Sequence, residues 1–83
     1  MKIGKMIAES KVLFLGQQDG DECWFTLATF DMGDDGFMVA QRDMETEDSE
    51  PWNTTPVRSF GTKLAALSFV ENEVKNWRPI SQA

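Results

Sequence analysis

The sequence predicts an α+β domain: a three- to four-stranded antiparallel meander with one long C-terminal helix packed on one face. Three observations carry this expectation. Leu64, Leu67, Val70, Val74 and Trp77 recur at three- and four-residue spacing, the stripe of an amphipathic helix. Residues 11–16, 22–30 and 37–42 are short runs rich in aromatic and β-branched side chains, the mark of strands. Asp19-Gly20 and the stretch 31–36 stand between those runs and supply the positive-φ chemistry of tight turns. The 83 residues read as a single domain, 1–83, large enough for one core.

In chain order, residues 1–10 admit two readings. Ile3, Met6 and Ile7 fit one helical turn, whereas Gly4 weakens a helix and part of the stretch suits an edge strand. Val12 to Leu15 form an apolar run that ends at Gly16, and a hairpin follows through Asp19-Gly20. In 22–30, alternation sets Trp24, Thr26, Ala28 and Phe30 against Cys23, Phe25, Leu27 and Thr29. Both faces are bulky, so the helix covers one and the other needs a second cover, from the N-terminal segment, the Trp52 loop or a second copy of the chain. The expected pairing is helix to Leu15, Phe25, Leu27 and the third strand, or to the face-flipped set if the register differs. Residues 43–56 hold five acids and two prolines and read as an acidic mobile loop. Val57 to Phe60 form either a fourth strand or the approach to the helix. Thr62 is the expected N-cap, with Ser59 as runner-up. Pro79 disfavours helix at Arg78, so the helix should stop near Trp77.

The net charge of −6 is unevenly laid out. Eleven acids (Asp19, Asp21, Glu22, Asp31, Asp34, Asp35, Asp43, Glu45, Glu47, Asp48 and Glu50) lie between residues 19 and 50 with one base, Arg42. This pattern predicts an electrical dipole with an acidic end built from turns and the long loop. A strand set that carries only Lys11 and Arg42 lacks the cations that a DNA-reading face requires, so direct nucleic-acid binding is not expected. No apolar run is long enough for a membrane span. The lone Cys23 and the absence of a secretory pattern at the first residues make a cytoplasmic location the expectation. Asn53-Thr54-Thr55 matches a glycosylation sequon and is read as an ordinary turn.

Absences shape the chemistry. With no His and no Tyr, the chain lacks the most usual general base and metal ligand, and no catalytic residue, metal-ligand set or cofactor is assigned. Cys23 lies mid-strand beside Asp21 and Glu22, surroundings that suit a structural cysteine rather than a nucleophile. Calcium-loop alignments fail: starting at Asp31 the twelfth residue is Arg42, and starting at Asp43 Asp48 takes the glycine position. No glycine-rich phosphate loop precedes a helix.

The functional expectation is a noncatalytic protein–protein interaction module that self-associates, as a homodimer, through the apolar face the helix leaves uncovered. The alternative is an acidic nucleic-acid mimic, an inhibitor or decoy of a basic nucleic-acid-binding protein. A third reading is a ligand-binding or enzymatic pocket shared at a dimer interface. Asp34, Asp35, Glu45, Glu47 and Asp48 are the expected charged contacts. Trp52 either plugs the open sheet face or anchors an interface. Phe69, off the main stripe, is either a contact residue or tucked against the sheet edge.

Overall fold

The computed structural model describes residues 4–79, so the N-terminal alternatives that involve Ile3 lie partly outside the described residues. Five strands precede one helix: β1 (Lys5–Glu9), β2 (Leu13–Gln18), β3 (Asp21–Asp31), β4 (Phe37–Met44), β5 (Asn53–Phe60) and α1 (Lys63–Lys75). All pairings are antiparallel, in the order β1-β3-β4-β5, and β2 also pairs with β3. β1 joins the C-terminal half of β3 and β2 its N-terminal half. The two therefore act as one interrupted strand, and the sheet is four strands wide. The α+β architecture with a C-terminal helix matches the sequence expectation, with one strand more.

The β2–β3 hairpin turns on two residues, Asp19 at φ 53° and Gly20 at φ 84°. Two successive positive φ values are those of the primed turn that matches strand twist. β3 and β4 are joined through a short 3₁₀ turn, Gly33–Asp35, closed by Met32 N–H donating to the Gly36 carbonyl at 2.8 Å. β5 was expected to begin no earlier than Val57, yet it starts at Asn53 and passes through Pro56. The connection is thus 45–52, not 43–56. Pro56 is tolerated because β5 is an edge strand whose outer side needs no ladder bond.

Direct pairing places Phe25, Leu27 and Thr29 on one face with their partners Asp43, Gln41 and Val39, and Trp24, Thr26, Ala28 and Phe30 on the other. The helix covers the first face. There Leu13, Phe25, Leu27, Val39 and Ala66 form the buried core, with Leu15, Phe37, Phe60, Phe69, Val70, Val74 and Trp77 around it. Burying a side chain of the size of Phe25 stabilises by about 1.5–3 kcal/mol. Phe25 also meets the Trp77 ring edge-on at 4.8 Å between centroids, while Trp77 Nε1–H donates to the Phe14 carbonyl at 2.8 Å. That pair ties the C-terminal end of α1 to β2.

The helix begins as expected: Thr62 Oγ1 accepts from Ala65 N–H at 3.2 Å. It ends at Lys75, two residues before Trp77. Its inward line differs from the expected stripe. Ala66 is fully buried, whereas Leu64 is 76% exposed. A small side chain lets the helix axis come close to the sheet, and that rotates Leu64 out into water.

The face away from the helix is also closed, which corrects the expectation of an open apolar surface. Ala28, Phe30, Met38 and Ala40 are buried there, with Met32 packed beside them. Over the small side chains runs a polar strap: Glu9 Oε2 accepts from Arg42 at 2.8 Å and from the buried Thr26 hydroxyl at 2.6 Å. The long Arg42 stem reaches from β4 across β3 to β1, and such stems cover apolar surface while the charged head stays near water.

Gly36 sits where the β3–β4 turn meets the start of α1. Its φ is 84°, and a Cβ there would lie 2.5 Å from the Phe60 carbonyl oxygen. Gly36→Ala is therefore expected to destabilise the fold by about 2 kcal/mol or more in urea unfolding, through strain and a backbone clash together. A loss below about 0.5 kcal/mol, the size of an ordinary surface change, would contradict this packing.

Candidate protein-binding site

The register decides which acids meet. The β2–β3 turn and the end of β4 lie at one end of the sheet, because Gln18 pairs with Asp21 and Trp24 with Met44. Asp19, Asp21, Glu22, Asp43, Glu45, Glu47, Asp48 and Glu50 belong to this end or to the connection that leaves it. Asp31, Asp34 and Asp35 belong to the opposite end, around the 3₁₀ turn. Seven steps of β4 separate the two groups, roughly 24 Å at a rise of about 3.4 Å per residue. That is about three screening lengths at physiological salt. The expected set Asp34, Asp35, Glu45, Glu47 and Asp48 is thus not one surface: Glu45, Glu47 and Asp48 stay together, and Asp34 and Asp35 act apart from them.

The connection 45–52 has its own hydrogen bonds. Thr46 N–H donates to Ser49 Oγ at 3.0 Å, and Ser49 N–H donates to the Thr46 carbonyl at 3.3 Å. This small turn carries Glu47 and Asp48 outward, both exposed. Asp43 pins the connection at its base. Its carboxylate accepts from Gln41 Nε2 at 2.7 Å and from Asn53 Nδ2 at 3.2 Å, and its carbonyl accepts from Trp52 N–H at 2.9 Å. Trp52 is consequently held by its backbone while its side chain is 66% exposed. It does not plug the sheet face, which the chain closes without it.

Trp52 borders a cleft of about 350 Å³ whose apolar lining includes Leu15, Trp24 and Met44. Asp21, Glu22, Asp43 and Glu45 ring it. Trp24 is oriented from two sides: its ring lies 4.9 Å from Phe14, and its Nε1–H donates to Glu22 Oε2 at 3.1 Å. Cys23, half-buried, also lines the cleft. Among the described residues the only ion pair is Arg42 with Glu9, so no described cation pairs with the carboxylates of this end. They do not converge as a metal cage: among the described residues, no group of three or more Cys, Asp or Glu could hold an ion.

Phe69 is half-buried and packs on Phe60 at 5.2 Å, beneath the Arg58 guanidinium, which lies 5.8 Å from the Phe69 ring and 5.4 Å from the Phe60 ring. It belongs to the helix–β5 contact, far from the acidic end in sequence and in packing. Sequence reasoning missed Trp24, Asp21, Glu22 and Asp43 as members of the site. A turn centred on Asp34 would have located them, since it sets Trp24 opposite Met44.

No helix among the described residues is long and apolar enough to cross a membrane. Comparison of the chain with protein-family models, with characterised proteins and with solved structures finds no match.

Because Trp52 is held through its backbone, Trp52→Ala is expected to leave unfolding stability within about 0.5 kcal/mol of the parent. A larger loss in urea unfolding would show that its ring supports the fold and is not free for a partner.

Proposed function

We propose that this chain is a noncatalytic protein-binding module that docks the basic surface of a partner protein against its Trp52-bearing acidic end. One observation carries the reading: an exposed tryptophan beside an apolar cleft, ringed by carboxylates that pair with no cation among the described residues. An aromatic anchor surrounded by charge of one sign has the composition of a recognition site. The ring supplies burial on contact, and the charges speed encounter and select the partner. A partner whose basic surface is itself a nucleic-acid groove, the decoy reading, is the narrower form of the same proposal. Absence of His and Tyr supports the noncatalytic part, since the residues that most often move protons or activate nucleophiles are missing.

The structure's separation of the acids supplies the test. An oligo-arginine peptide, followed by tryptophan fluorescence at increasing salt, should bind the parent and weaken steeply as salt rises. Charge reversal at Glu45 and Glu47 is expected to lower affinity at least about tenfold, about 1.4 kcal/mol. The same reversal at Asp34 and Asp35 should leave it nearly unchanged. Equal losses from the two pairs would show that net charge alone is read, and the site would then be rejected.

A further inference from the structure

A second cavity lies beside the helix. α1 packs over β3, β4 and β5, leaving a groove of about 450 Å³ between its flank and β1. The floor is Ala8, Leu27 and Thr29, and the helix wall is Leu67, Val70 and Val74. Two of its polar side chains are already engaged within the chain. Ser10 is fully engaged, its Oγ accepting from Leu27 N–H and donating to the Lys11 carbonyl, both at 2.9 Å. Glu9 is taken by Arg42 and Thr26.

We infer that this groove is where a second copy of the chain docks, by antiparallel contact of the two α1 flanks across a two-fold axis. Charge complementarity selects this occupant. Glu71 and Lys75 edge the groove one helical turn apart, both are exposed, and neither is in an ion pair among the described residues. A two-fold axis perpendicular to the helices, passing between them, sets each Glu71 against the partner's Lys75, so the contact is made twice. A parallel arrangement would oppose like charges. Val70 and Val74, beside that pair, supply the apolar centre that charged edges surround at such interfaces. Among the described residues the sheet edges are poor competitors. β5 carries Pro56 and a register shift between its partners Val39 and Ala40, and β1 and β2 each contain an irregularity, devices that blunt edge-to-edge pairing.

The rim charges make the inference separable from general stickiness. Sedimentation equilibrium of the full chain should show a concentration-dependent monomer–dimer equilibrium. Glu71→Lys and Lys75→Glu should each weaken dimerisation at least about tenfold, with unchanged circular dichroism because both positions are exposed. Combining the two substitutions in one chain should restore it, and mixing the two single variants should give a heterodimer that neither forms alone. A parent that stays monomeric up to near-millimolar concentration would overturn the proposal and leave the groove to some other chain. Single variants that dimerise like the parent, or a double variant that fails to recover, would overturn it equally.

Discussion

β3 pairs with β1 and β2 along one edge and, from Trp24 to Asp31, with β4 along the other, and every other element takes its place from it directly or through β4. A strand of eleven residues with bulky groups on both faces commits the chain to closing both. The helix closes one with Ala66, Phe69 and Val70, together with Trp77 just beyond its end. The Arg42–Glu9 strap and the small residues Ala28 and Ala40 close the other. In a domain this size, where net stability is a small remainder of large terms, neither face can be left wet.

The same strand sets the charge map. Its length holds the two acidic turns beyond electrostatic reach of each other, so the apparent single cluster in the sequence becomes two. Only one end combines carboxylates with tryptophan side chains, Trp24 and Trp52. The offset of the helix toward β5 follows from the Phe60–Phe69–Arg58 stack and from the close approach at Ala66. That offset leaves the flank over β1 unfilled. The Trp52-bearing acidic end and the uncovered flank are therefore consequences of where one helix settles on one long strand.

Much of this was legible in the sequence. The alternation in 22–30 named both faces correctly, Asp19-Gly20 announced its two-residue turn, and Thr62 announced the cap, because each is a local rule with little competition. Leu64 misled because hydropathy weighs a leucine above an alanine, while close helix–sheet contact rewards the smaller side chain. β5 was hidden because Asn53 to Phe60 has no apolar alternation and contains Pro56, which only an edge strand accepts. The site was half legible: Glu45, Glu47 and Trp52 adjoin in sequence, but Trp24 and Asp21 join them only through the strand register, and Asp34 and Asp35 leave for the same reason.

Amide hydrogen exchange tests the primacy of β3 most directly, since a strand bonded on both edges and covered on both faces opens only with the whole fold. The amides of residues 25–30 should exchange slowest in the molecule, at the rate set by global unfolding, with those of β5 and β1 faster. Amides of 25–30 that exchange as readily as those of the edge strands would contradict the account.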